Sequence, residues 1–360
     1  MTTHEVTLRF EVPEVYRLVL RMGEDGTIRE ARVEGEFVSR QVGRLVSDRY
    51  RDPHKALYVV ERLCGACSHA HTLAFASAVE RALSLEIPPR AAAIRTLAAE
   101  LERIQSHLFG LSETATIAGG HHLARSVWAA WQQVTAILAE VTGNRIHYGI
   151  NCIGGLARDI SPGALRVARE MLARLGESLL PLRGEFDRAV GKRLAGLGVW
   201  TSPGQELRGT GPNQRASGSA RDVRRERPYL LYRELPLVIP VRDEGDSLAR
   251  VSVRLEELLV SFTMVDKLLA SLPEGAIRAE GSETATVSTV ATLMSVEAPR
   301  GEDRHEVTLA ADGEISALVI RVPTEDNIVG LGSALVGVRE ADVRLVVASF
   351  DLCMSCFGGT

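Results

Sequence analysis

The sequence predicts an α+β protein: a central bundle of long helices, with small β elements contributed by both ends of the chain. Three observations predict it. Within the first 33 residues one run alternates apolar and polar side chains as half-buried strands do, and two more read as extended on either side of a turn signal. Between residues 91 and 269, four long stretches carry apolar residues at helical spacing. After residue 300 the alternation returns on either side of a turn signal.

Taken in order, Val6-Thr7-Leu8-Arg9-Phe10 alternates, and residues 16–22 form a second extended run. Gly23-Glu24-Asp25-Gly26 is a turn signal, and residues 27–33 continue in extended style. The pattern turns helical from about residue 66. A first long helix is expected over 91–118, just after Pro88-Pro89, and a second over 122–141, stopped by Gly143-Asn144. A third starts after Ser161-Pro162, with Leu165, Ala168, Leu172, Leu175 and Leu179 on one face. The fourth is the most regular. Leu248, Val251, Leu255, Leu258, Phe262, Val265 and Leu269 make a heptad seam, closed by Leu-Pro-Glu-Gly at 272–275. Residues 305–309 and 315–322 around Ala311-Asp312-Gly313 read as a hairpin. The division expected is a β-rich region 1–60, a helical core 61–300 holding a Gly, Ser and Arg-rich loop at 203–228, and a C-terminal part 301–360, together one interlocked unit. A loop of that length in a compact protein is usually functional.

Composition excludes several classes. With 45% apolar and 24% charged residues the chain has the make-up of a folded protein. Its net charge of −4 argues against binding a phosphate backbone, so no nucleic-acid partner is expected. No uncharged apolar run reaches the length of about 18 residues that spans a bilayer, and the first residues lack the pattern of a secretory signal. A cytoplasmic, soluble subunit is expected.

The strongest chemical signal is a pair of Cys-x-x-Cys motifs, Cys64-Gly65-Ala66-Cys67 and Cys353-Met354-Ser355-Cys356. Each pair lets two thiolates from one turn grip one centre, and two pairs supply four soft ligands for zinc, iron–sulfur or another thiophilic metal. A zinc ribbon sets its pairs roughly 15–20 residues apart. Here almost the whole chain separates them, which suits a buried cofactor better than a local staple. The fifth cysteine, Cys152, belongs to no pair and is expected to fill a buried apolar position.

The surroundings of these motifs resemble a known family. Glu61-Arg62-Leu63-Cys64-Gly65-Ala66-Cys67-Ser68-His69-Ala70-His71 is similar to the first signature of nickel–iron hydrogenase large subunits, and Asp351-Leu352-Cys353-Met354-Ser355-Cys356 to the second. Asn151-Cys152-Ile153-Gly154-Gly155, Gly211-Pro212-Asn213-Gln214-Arg215-Ala216-Ser217-Gly218 and Glu297-Ala298-Pro299-Arg300-Gly301-Glu302 resemble segments of the membrane-associated, energy-converting group. The same middle segments are similar to the quinone-site catalytic subunit of respiratory complex I, which lacks the four cysteines.

The resemblance implies a role for each matched position. Cys64 and Cys353 would be terminal ligands of nickel. Cys67 and Cys356 would bridge nickel to an iron whose other ligands are CO and cyanide. Arg300 would stand over the open metal position with Asp351 as its partner, and His71 would donate to a bridging sulfur. Where the family has its proton-passing glutamate before a proline, this chain departs with Val12-Pro13, and the neighbouring Glu14 or Glu11 would have to take that role. The four arginines of 221–227 would lie in an ordered loop facing a partner. The implied function is reversible H2 oxidation and proton reduction. Electrons would leave through an iron–sulfur subunit like the complex I cluster protein, and membrane subunits would hold the assembly at the inner face of the cell membrane. The chain departs from the family at Leu352, where proline is usual, and at Ser39-Arg40-Gln41-Val42-Gly43, where a His-Arg-Gly-x-Glu pattern is usual. The alternatives are a complex-I-like quinone or NADH-dehydrogenase module without hydrogenase turnover, and a structural four-cysteine zinc protein.

Overall fold

A computed structural model describes residues 4–10, 16–35, 39–201, 208–280 and 289–360. Strands β1 (His4–Phe10), β2 (Tyr16–Met22) and β3 (Ile28–Gly35) form an antiparallel sheet in that order. Helices α1 (Val42–Arg49), α2 (Pro53–Val60) and α3 (Ser68–Ala82) follow, then the long helices α4 (Pro89–Ile117), α5 (His121–Thr142), α6 (Pro162–Leu179) and α7 (Ser247–Ala270). A second antiparallel sheet comprises β4 (Val290–Ala298), β5 (Gly301–Leu309) and β6 (Ile315–Arg321). Helices α8 (Pro323–Ala334) and α9 (Val343–Phe350) precede the second Cys-x-x-Cys turn. No helix among the described residues is long and apolar enough to cross a membrane.

The α+β architecture and its four long helices match what the sequence predicts, and the start signals act as expected. Pro89 and Pro162 occupy first-turn positions, where a missing N–H costs nothing, and Ser161 accepts from the Ala164 amide. Gly143 ends α5 in the left-handed conformation. The seam on α7 is buried at Val251, Leu255, Leu258, Val265 and Leu269, with Leu248 and Phe262 packed at its edge. It closes on α4 and α6 to form the main core. Leu18, Leu20 and Met22 of β2 alternate inward, into a separate core shared with Leu331, Val346 and Phe350 of α8 and α9.

Two regions differ from the expectation. Residues 42–49 and 53–60, expected within a β-rich region, are helical. The signal is local: Asp52 accepts from the His54 amide and Pro53 opens α2. The C-terminal hairpin gains β4, which pairs with β5 from Val290↔Leu309 to Ala298↔Gly301. Its tip is therefore Pro299-Arg300, which puts Arg300 at the end of a two-residue turn.

Helix α3 is buried almost all round, between α4 and the second sheet. Polar groups this deep need partners. Arg95 of α4 grips Glu80 of α3 through both carboxylate oxygens at 2.7 and 2.8 Å and also donates to the Cys152 and Gly155 carbonyls. A second network joins α4, α7, β4 and the 211–227 segment. In it Arg215 meets Glu257, Glu297 and Asp222 at 2.8, 2.8 and 3.2 Å, and Arg224 meets Asp222 and Glu100 at 2.8 and 3.1 Å. Arg215 and Arg224 are thus buried struts, and only part of the arginine-rich segment is surface.

Removing one partner of such a pair leaves a buried charge uncompensated, at a cost of about 3–5 kcal/mol. Arg95→Ala is expected to lower the stability measured by urea unfolding by that order. A midpoint equal to the parent's would mean that the α3–α4 contact does not depend on this pair. A second expectation concerns pH. Burial pulls the His107 imidazole down to about 4, outweighing Glu257 at 2.9 Å, which favours the charged form. The folded value lies below the unfolded one, so this contribution is present above about pH 6.5 and is lost as pH falls toward 4. Relative to His107→Gln, the parent should lose roughly 2 kcal/mol of stability between pH 7 and 5. Parallel stability–pH curves for the two would contradict this.

Candidate metal centre

The two Cys-x-x-Cys turns meet at one buried point. Cys67 ends its turn as the N-cap of α3, and Cys353 opens the short helical turn Met354–Phe357. The sulfurs pair across the chain ends, Cys64 with Cys353 at 3.4 Å and Cys67 with Cys356 at 3.1 Å, while Cys353 and Cys356 are 3.2 Å apart. All four lie within 4.8 Å of one another and are buried. These separations exceed the disulfide length of about 2.05 Å. Contacts among the sulfurs hold Cys353 far below the ordinary thiol value and push Cys67 and Cys356 well above it. Four thiols so close cannot all ionise without a cation among them. The donor set is entirely soft sulfur, so the site fits a thiophilic metal centre.

Each turn is fastened to its surroundings. Glu102 of α4 accepts from the His69 and Ala70 amides at 2.8 and 3.0 Å, capping α3 immediately after Cys67. Thr324 of α8 donates to the Cys353 carbonyl at 2.9 Å. Arg40 spans both turns, donating to the Leu63 carbonyl at 2.9 Å and to the Ser355 carbonyl. Its own amide and that of Val42 hold the chain end through Gly358 and Gly359.

Arg300, Asp351 and His71 are brought to the same place. Arg300 donates from Nη2 to Asp351 Oδ1, from Nε to the Asp351 carbonyl and from Nη1 to Ser106 Oγ, each at 2.8 Å. Burial opposes its charge, but Asp351 and after it the Cys353 sulfur hold it protonated. Asp351 adopts a left-handed conformation, φ 53°, and its carboxylate fills the space that a side chain at Gly110 would take. His71 Nε2 lies 3.5 Å from Cys67 Sγ and 3.4 Å from Cys356 Sγ. Its Nδ1 is 2.8 Å from Asp303 Oδ2, whose second neighbour is His305 Nε2 at 3.3 Å. Burial pulls His71 down, yet Asp303 above all, and with it the Cys353 sulfur, lift it to about 9.

Glu11 and Glu14 lie outside the described residues. Cys152 is half-buried and away from the cluster, with Arg95 bound to its carbonyl. His69 serves the packing of α3, bonding the Arg95 carbonyl and Asn151. Sequence reasoning does not find Asp303, His305, Ser106 or Glu102. Asp303 and His305 carry a signal, at alternate inward positions of one strand. The others are joined to the site by tertiary contacts alone. Beside the site, a cavity of about 420 Å³ opens over Gly65 and Ala66, with Phe109, Trp131, Ile146 and Arg300 among its walls.

The chain is similar to known proteins along most of its length. Residues 45–111 match the model of the nickel-dependent hydrogenase family, and residues 123–292 that of the 49 kDa subunit of respiratory-chain NADH dehydrogenase. The chain is 33% identical over 319 residues to the membrane-bound hydrogenase subunit alpha of Pyrococcus furiosus, covering 83% of this chain and 74% of that protein. It is 32% identical over 299 residues to an NADH-quinone oxidoreductase subunit of Desulfotalea psychrophila, covering 81% and 80%. Its fold superposes on a chain of the membrane-bound sulfane sulfur reductase, an archaeal respiratory membrane complex, with a TM-score of 0.90 and 29% identity over 99% of this chain and 98% of that one. The chain therefore belongs to the oxidoreductase family that unites membrane-bound hydrogenase large subunits with the 49 kDa subunit of complex I.

Proposed function

We propose that this chain is the catalytic large subunit of a nickel–iron hydrogenase complex, reversibly oxidising H2 and reducing protons. One observation carries the reading: four buried sulfurs from opposite ends of the chain converge beside a buried, charged arginine. Cys64, Cys67, Cys353 and Cys356 would hold the centre. The sulfurs meet across the chain ends as Cys64 with Cys353 and Cys67 with Cys356, the same two pairs into which the resemblance divides the ligands. A nickel–iron centre, its iron carrying CO and cyanide, supplies heterolytic cleavage of dihydrogen when bound.

The residues around it have distinct tasks. Arg300 presents a fixed positive charge that is not lost at working pH and that polarises a small molecule at the site. Asp351 and Ser106 orient its planar fork. His71 directs one ring nitrogen at the sulfurs of Cys67 and Cys356 while Asp303 holds the other. The four cysteines are taken by the centre, so electrons leave through a partner, and we assign that role to an iron–sulfur subunit. Membrane subunits would tether the assembly at the inner face of the cell membrane. Two of the similar proteins named above are a membrane-bound hydrogenase subunit and a chain of a respiratory membrane complex, which supports this placement.

A second reading, a complex-I-like module acting on quinone without hydrogenase turnover, is favoured by the cavity over Gly65 and Ala66, whose 420 Å³ far exceeds the space dihydrogen needs. Metal analysis of the purified complex separates the readings: nickel with iron for the first, neither for the second, zinc alone for a structural site.

Single serine variants refine the test. The hard hydroxyl replaces a thiolate poorly on these metals. Cys67→Ser and Cys356→Ser should lose nickel and iron together, Cys64→Ser and Cys353→Ser should lose nickel preferentially, and Cys152→Ser should keep both. Loss of metal from the Cys152 variant with retention in Cys353→Ser would overturn the ligand assignment. A further expectation concerns Gly110→Ala. Alanine favours an exposed helix interior over glycine by about 1 kcal/mol, but here the added Cβ would stand 2.7 Å from the Asp351 carboxyl carbon. The variant should keep its metals and lose roughly 10-fold or more in turnover as Asp351 is pushed off Arg300. Unchanged turnover would show that Asp351 does not orient Arg300.

A further inference from the structure

Arg300 is held by its backbone as well as by its guanidinium. Its carbonyl accepts from Asn327 Nδ2 at 3.2 Å, and the same side chain's Oδ1 accepts from the Thr210 amide at 3.0 Å. Thr210 Oγ1 in turn accepts from the Glu302 amide at 2.9 Å, on the other side of the hairpin tip. The surfaces are close enough to demand glycine. A Cβ on Gly211 would meet the Arg300 carbonyl oxygen at 2.5 Å, and one on Gly301 would meet Thr210 Cγ2 at 2.5 Å. Both glycines have positive φ, +69° and +131°.

Asn327 lies on α8, three residues after Thr324, which donates to the Cys353 carbonyl. Residues three apart share a helix face. One face of α8 therefore holds the backbone of Arg300 and the backbone of a cysteine of the cluster. A helix of this kind acts as a ruler, because its internal hydrogen bonds fix the spacing between the two attachment points. Asn327 and Thr324 are both buried, and none of their contacts involves the Arg300 guanidinium.

We propose that Asn327, Thr324 and Thr210 form a clasp that sets the distance of Arg300 from the thiol cluster, making them positioning residues for the site. The proposal rests on the reading of Arg300 as the charge that acts at the metal centre. A small displacement of such a group is costly, because electrostatic stabilisation depends on groups already in place.

The test uses the intact complex, with H2-dependent dye reduction, metal content and amide exchange of the segment 299–304 as readouts. Asn327→Ala and Thr210→Val should keep both metals, speed exchange at the hairpin tip and lower turnover by about 10- to 100-fold. Thr210→Ser keeps the hydroxyl and should restore turnover and exchange protection. In an Arg300→Lys background, already slow, neither clasp variant should lower turnover further. Normal turnover in Thr210→Val with Arg300→Lys impaired would overturn the clasp, as would losses that add fully to that of Arg300→Lys. Normal turnover in Arg300→Lys would instead remove the role of Arg300 and the clasp with it. A parent complex without H2 turnover would count against the functional reading, and exchange at the tip, unchanged in Thr210→Val, would then decide against the clasp. Should Asn327→Ala fail to fold, the Thr210→Val and Thr210→Ser pair decides the matter in the same way.

Discussion

Four sulfurs, an arginine and a histidine are packed into one buried place, and the rest of the molecule is arranged to make that tolerable. Charge in a low-dielectric interior must be matched by nearby charge or hydrogen bonds. Asp351 and Ser106 answer Arg300, Asp303 answers His71, and the crowded thiols call for a cation. The helical bundle shields this place from solvent. The second sheet carries Asp303, His305 and Arg300 into it on β5 and the preceding turn.

Chain topology follows from the same constraint. The two Cys-x-x-Cys turns lie near opposite ends of the sequence, and fastening them together costs loop-closure entropy that grows only slowly with length. Local devices hold them once they meet. Glu102 caps the helix after Cys67, Thr324 holds Cys353, and Arg40 ties the two turns to each other. Arg40 belongs to the segment that departs most from the family pattern, yet its guanidinium and amide bond across the chain ends. The neighbouring positions differ from that pattern around a residue with a clear mechanical task.

Much of this is legible in the sequence, for identifiable reasons. The helices from Pro89 to Ala270 announce themselves through apolar periodicity, proline starts and a glycine stop, all of which are local. The candidate ligand set is legible because Cys-x-x-Cys is a local motif, and the expectation that its two copies meet rests on resemblance. Helices α1 and α2 are hidden behind the strands preceding them, although Asp52-Pro53 carries a start signal. Strand β4 escapes notice because the 305–322 hairpin already accounts for the alternation beside it. Ser106, Glu102 and Asn327 have no local signature at all. Each reaches its partner across a tertiary contact, and only the packed fold shows that Gly110 is small to admit Asp351.

In the proposed reading the four-cysteine cluster holds a nickel–iron centre. An infrared spectrum of the purified complex tests it most directly, because CO and cyanide bound to iron absorb where protein does not. Sharp bands in that window, shifting when the complex is exposed to H2, are expected. A complex with full occupancy of the four cysteines by metal and no bands there would contradict it.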